Sequence, residues 1–134
     1  MALPAACAIA PPPPPVNPFA GAWTTPEHAQ IAFRPDTVVI HSPGEEPTPM
    51  GAASCSGAFH FSYARKTRES LLGLAPSQPD VRNRLARLLV QPEYPVAEVT
   101  CGEGASTYVL LDDRDLVVIH RDQDIAGIET LTRL

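Results

Sequence analysis

The chain has 134 residues, of which 44% are hydrophobic and 19% charged, and its formal net charge is −5. That length holds one domain, not two, and the apolar content excludes global disorder. The acidic balance argues against a dedicated nucleic-acid binder, which needs a basic surface to displace counterions. No apolar run of about eighteen residues occurs, so no transmembrane helix is expected.

Residues 1–19 read as a Pro-rich leader or tether, and residues 20–134 as a single compact β-rich domain. Nothing before Pro11 combines a charged n-region with a full apolar h-region. Leu3-Pro4-Ala5-Ala6-Cys7 nevertheless resembles the tail of a bacterial lipoprotein signal, with Cys7 as the residue to be lipidated. Pro4 departs from that pattern, and six residues are too few for a signal, so the reading needs a start upstream of Met1 or a trimmed chain. A plain Ala/Pro leader is the alternative. Pro11 to Pro15 favour an extended polyproline II spacer of roughly 15 Å, because each proline fixes φ and lacks an amide donor.

The domain opens at Phe19 to Trp23, with Trp23, the single tryptophan, as a core anchor. Ala29 to Phe33 places Ile31 and Phe33 on one face of a strand, and Thr37 to His41 forms a second strand after an Arg34-Pro35-Asp36 turn. Ser42 to Ala53 is rich in Pro and Gly and reads as a loop. Gly57 to Ala64 alternates most clearly, with Phe59, Phe61 and Tyr63 on one face and Ala58, His60 and Ser62 on the other.

One helix interrupts the strands, over about 78–90. Ser77 is its expected N-cap, with Asp80 reaching back toward it. Val81, Leu85, Leu88 and Leu89 form one apolar stripe, and Pro92 and Pro95 end the helix. Strands return at Val96 to Cys101. Thr107 to Leu111 and Leu116 to Arg121 then flank an acidic turn as a hairpin, apolar on both faces and therefore central. Residues 125–134 fit either a helical turn or a strand; strand is expected. The sum is about seven short strands and one amphipathic helix, a mostly β α+β architecture built as a small antiparallel sheet or partly closed barrel.

Charge is unevenly placed. Six of the ten basic residues lie between Arg65 and Arg87, and nine of the fifteen acids between Glu93 and Glu129. Arg82, Arg84 and Arg87 are a candidate patch for an acidic partner, with a solvated helix face as the alternative. Cys55 and Cys101 are an even pair inside the domain and read as a disulfide if the compartment is oxidising. Closing that loop of about 47 residues stabilises by about 4 kcal/mol on the chain-entropy model. Two buried thiols in a reducing compartment are the alternative.

No chemical motif is complete, so no catalytic, cofactor-binding or metal-ligating residue is assigned and no cofactor is expected. Asp122 to Gly127 begins like a calcium loop but has Ala126 and Arg133 at ligand positions. Asp112, Asp113 and Asp115 are expected to form an acidic turn. His28, His41, His60 and His120 lack close ligand spacing; His60 and His120, with His41 as a third, bind a metal only if their strands converge. Ser54, Ser56 and Ser106 sit near glycines without a G-x-S-x-G elbow. Cys55 with His60 offers a nucleophile pair only if Cys101 leaves it unpaired.

Gly51 to Tyr63, reading GAASCSGAFHFSY, resembles the signature of META-domain envelope proteins: a glycine, a Cys-Asn pair, then an aromatic and a tyrosine on a strand. Ser56 replaces the asparagine, and the second Thr-x-x-Cys block of that family is absent. The resemblance spans roughly residues 20–121 and implies a non-catalytic, envelope-localised module. The expectations are therefore a periplasmic or outer-membrane-anchored binding module that meets an envelope protein or other acidic partner. It would touch a membrane only through a lipid anchor. A small barrel carrying an apolar ligand is the alternative, and an enzyme the third reading.

Overall fold

Residues Phe59 to Leu72 set the pattern for the longer strands: an alternating strand that runs directly into a buried leucine pair. A computed structural model of the chain describes residues 17–75, 78–123 and 125–134. In chain order the elements are β1 (Ala22–Thr24), β2 (Gln30–Phe33), β3 (Val38–His41), β4 (Thr48–Pro49), β5 (Phe59–Thr67), α1 (Arg68–Leu72), α2 (Pro79–Leu88), β6 (Glu93–Cys101), β7 (Gly104–Leu110), β8 (Asp115–Asp122) and β9 (Ile125–Arg133). The strands form one nine-stranded antiparallel sheet, ordered β4-β3-β2-β1-β9-β8-β7-β6-β5 and curled into a half-barrel.

The mostly β architecture agrees with the sequence reading, but nine strands replace about seven and a second helix appears. The extra strands, β1 and β4, span three and two residues. Such pieces are too short to show alternation; their neighbours make them strands. The extra helix α1 has five residues. Thr67 caps it by accepting from the Ser70 amide (3.2 Å), and it carries the buried Leu71 and Leu72. Residues 125–134 are strand through Arg133. Helix α2 starts at Pro79 with Gln78 at the N-cap; the expected Ser77 cap lies outside the described residues, as does Cys7. Pro95, expected to help end the helix, lies inside β6, which starts three residues earlier than its clear alternation. Pairing with β7 begins at Val96, so Pro95 sits where β6 has a single neighbour, a place that tolerates a missing amide.

Two cores follow from the two faces of the sheet. On the convex face, Leu71, Leu72, Leu85 and Leu89 pack on Tyr94, Val96, Val109, Val117 and Ile119. On the concave face, Phe19, Trp23, Ile31, Phe33 and Val38 pack on Ala97, Val99, Tyr108, Leu110, Leu116, Val118 and Leu131, with Phe59, Phe61 and Tyr63 alongside. This explains why β7 and β8 are apolar on both faces: helices cover one side and the short strands cover the other.

The entry to the domain closes one end of the half-barrel. Phe19 is 1% exposed and packs its ring against Phe33 (5.1 Å between centroids) and Tyr63 (5.6 Å). The Trp23 indole N–H donates to the Phe19 carbonyl (3.1 Å). Arg133 then donates to the carbonyls of Pro18 (2.8 Å), Ala20 and Asp113 (2.6 Å), and its guanidinium lies 4.2 Å from the Trp23 ring centre. The packed part of the chain thus includes Phe19, at the end of the leader.

At the opposite end, Cys55 and Cys101 are joined by a disulfide with Cα atoms 4.7 Å apart, which pins a single 3-10 turn (Ala53–Cys55) to the end of β6. The β6–β7 turn has two residues, and Gly102 takes the positive φ (+62°) that such a turn demands.

Half of the basic run between Arg65 and Arg87 is used inside the molecule. Arg65 pairs with Glu93, and Lys66 lies 3.5 Å from Glu98. Arg68 donates to the carbonyls of Leu89 (2.6 Å) and Ala86 (3.1 Å), capping the C-terminal end of α2 with a cation. Arg82, Arg84 and Arg87 stay exposed. Leu85→Ala is expected to cost about 2–5 kcal/mol in urea unfolding, as for a fully buried leucine, and Arg87→Ala under about 0.5 kcal/mol. Equal losses would show that the helix docks on a different face.

Candidate functional site

Strand registers build the concave face in rows. Leu131, Leu116 and Leu110 form one row near the plugged end. The next runs Glu129, Val118, Tyr108, Ala97, Tyr63, and the next Gly127, His120, Ser106, Val99, Phe61. The last row holds Asp122, Gly104, Cys101 and Phe59. Gly127, Ser106 and Gly104 are the small members of these rows, and space opens above them.

The result is a cleft of about 650 Å³ at the open end, lined by Ile40 and Met50 on one side and by Val99, Ser106, Tyr108, His120 and Gly127 on the other. Met50 is held in place through its backbone. Its amide donates to the Val38 carbonyl (3.0 Å), and its carbonyl accepts from the Thr37 hydroxyl (2.6 Å). The Cys55–Cys101 disulfide stands at the rim and ties the loop that follows Met50 to the β6 wall.

Within the cleft, Ser106 Oγ and His120 Nδ1 are 2.8 Å apart. Desolvation by the wall lowers the His120 pKa, so the imidazole is neutral at neutral pH. Among the described residues no carboxylate hydrogen-bonds this ring, so the pair lacks the third member that orients a catalytic imidazole and stabilises its cation. A cross-strand hydrogen bond between facing residues accounts for it. Tyr108 is 4% exposed, and its hydroxyl makes no hydrogen bond among the described residues; burial, and secondly the charge of Glu129, push its pKa to about 12. Glu129 is itself raised, by desolvation first and then by the neighbouring Glu27.

The mouth is acidic. Glu103 and Asp122 are exposed on the rim, and a smaller hollow of about 320 Å³ shares Ile40 and carries Glu45 and Glu46. Arg121 contributes to the rim, but alternation along β8 sends its side chain to the convex side with Val117 and Ile119.

The other sequence candidates fall elsewhere. Arg82, Arg84 and Arg87 lie on α2, on the convex layer and away from the cleft. His60 and His120 occupy opposite faces of the sheet, and His41 lies on the convex side of β3, so the three do not converge. Asp112 Oδ1 accepts from the amides of Arg114 and Asp115 (both 2.8 Å), and these bonds lower its pKa. The acidic run is therefore a turn built by its own side chain. Asp122 to Gly127 is the β8–β9 hairpin, with Gln123 at φ +56°. Ser54 closes a turn with Gly51, and Cys55 is spent in the disulfide.

Tyr108, Glu129, Gly127, Ile40 and Met50 were not singled out in the sequence. The two-residue period does place Ser106 with Tyr108 and Val118 with His120. What it cannot supply is the register that sets these pairs side by side.

No protein-family model, no curated protein and no solved structure matches the chain.

A carboxyl whose pKa is raised in the fold binds its proton more tightly folded than unfolded. Stability therefore falls as pH rises from the unfolded carboxylate value through the raised one. Glu129→Gln removes that loss. Its urea midpoint is expected above that of the wild type at pH 7, with the advantage shrinking as pH falls through about 4. A variant midpoint equal to or below the wild type at pH 7 would contradict the burial of Glu129 and its crowding by Glu27.

Proposed function

We propose that the domain is a non-catalytic binding module of the envelope or of secreted proteins, and that its working surface is the cleft at the open end of the half-barrel. The observation that carries this reading is the unequal filling of the concave face. One end is plugged by Phe19, Trp23, Phe33 and Tyr63. The other ends in small residues and a cleft within the range of about 300–1,000 Å³ usual for ligand sites, with apolar walls and a few convergent polar groups. The filled aromatic end speaks against the apolar-carrier alternative, which needs that interior volume. An oxidising compartment is supported by the Cys55–Cys101 disulfide and by the Leu3 to Cys7 motif; the META-like segment Gly51 to Tyr63 supplies the disulfide turn and the β5 wall. Among the described residues no helix is long and apolar enough to cross a membrane.

A second reading places an acidic partner on α2. It is favoured by the exposure of Arg82, Arg84 and Arg87, none of which forms an ion pair among the described residues. The two surfaces lie on different layers, so mapping separates them. A set of small fragments of mixed charge, titrated into ¹⁵N-labelled protein, is expected to shift the amides of Ser106, His120 and Gly127. Gly127→Phe should abolish those shifts while keeping the melting temperature, because a Cβ at 127 meets nothing within 4 Å. Shifts confined to α2, and lost in the Arg82→Ala, Arg84→Ala, Arg87→Ala triple variant, would move the working surface to the helix.

A further inference from the structure

We infer that the cleft accepts a basic side chain projecting from a cationic protein. This inference rests on the cleft being the working surface and adds the chemistry of the occupant.

The walls suit a long side chain with a charged head. Ile40, Met50 and Val99 offer apolar surface to the methylene stem of an arginine or lysine, which such stems cover readily. The polar groups inside are acceptors or can become so. The neutral His120 and Ser106 share one hydrogen bond and keep further acceptor capacity. Tyr108 is buried at the cleft wall, and its hydroxyl has no hydrogen-bond partner among the described residues. Glu129 stands in the same row as Tyr108, across Val118, with Glu27 beside it.

Charge complementarity points the same way. Asp122 and Glu103 stand on the rim, and alternation removes Arg121 to the other face. An anionic occupant would meet the Glu103 and Asp122 carboxylates at the mouth. The acids also extend past the cleft. Glu45 and Glu46 line the adjoining hollow that shares Ile40. A free amine occupying the cleft would leave that shelf unused, whereas a protein inserting one basic side chain would lay its flanking residues along it.

The test titrates ¹⁵N-labelled protein with acetylated, amidated tri-arginine, with tri-glutamate and tri-glutamine peptides of the same form, and with spermidine. Tri-arginine is expected to shift Ser106, His120 and Gly127 together with Glu45 and Glu46. Its affinity should weaken as salt rises. Glu103→Gln with Asp122→Asn should weaken it about three- to tenfold, since each exposed charge contributes little alone. Both substitutions are exposed and isosteric, so they report on binding even if Gly127→Phe alters the fold. Equal binding of tri-glutamate or tri-glutamine at the cleft would overturn the inference. So would spermidine binding as tightly as tri-arginine without moving Glu45 and Glu46, which would indicate a small-amine site. Fragments that shift cleft amides while tri-arginine does not would remove this inference alone; silence from both would remove the cleft reading with it.

Discussion

Arg133 gathers three distant parts of the chain onto one guanidinium: the entry backbone at Pro18 and Ala20, the Trp23 ring of β1, and the Asp113 carbonyl in the β7–β8 turn. A curled, open antiparallel sheet has a concave face that must be covered, because its rows of apolar side chains would otherwise face water. Here the long strands β5 to β9 supply most of that face, and the short strands β1 to β4 cannot cover it alone. The entry segment completes the cover by laying Phe19 across Phe33 and Tyr63. Charge-assisted hydrogen bonds from Arg133 hold that segment in place. The rest of the concave face then reads as a gradient, from close-packed rings at the plugged end to small and polar residues at the open one.

That gradient explains where a site can form. The disulfide braces the open end from the side, joining the turn after Met50 to the end of β6, so the two walls of the cleft are held apart without being filled. The convex face is closed by α1 and α2, and its outward side carries arginines. The molecule is therefore electrically divided, acidic around the cleft and basic along α2, while its net charge stays at −5. Composition alone conveys only the sum.

Much of this was legible residue by residue. Phe59, Phe61 and Tyr63 alternate with no ambiguity, and their face is the concave one. Leu85 and Leu89 sit on a helical stripe, and both are fully buried. The double-sided apolar runs of β7 and β8 announced central strands. The cysteine pair was readable because only two cysteines lie inside the domain. Other features depend on contacts that no local pattern encodes. Ala22–Thr24 and Thr48–Pro49 are strands only because longer neighbours pair with them. Leu71 and Leu72 form one helical turn too short to show a period. Arg68 reads as part of a basic patch, yet it caps α2 from a separate element. The cleft was hidden for the same reason. Ser106 and Gly104 lie on β7 and Gly127 on β9, and the sheet registers bring these small residues onto one wall.

The central claim is that Phe19 plugs one end of the half-barrel and leaves the other end open. Urea unfolding of Phe19→Ala beside Ile40→Ala tests it directly. Phe19 is fully buried among rings, so its truncation is expected to cost about 3–5 kcal/mol, with a clearly smaller loss at the half-exposed Ile40 on the cleft wall. A Phe19→Ala variant within about 0.5 kcal/mol of the wild type would contradict the account, because that is the behaviour of a surface residue.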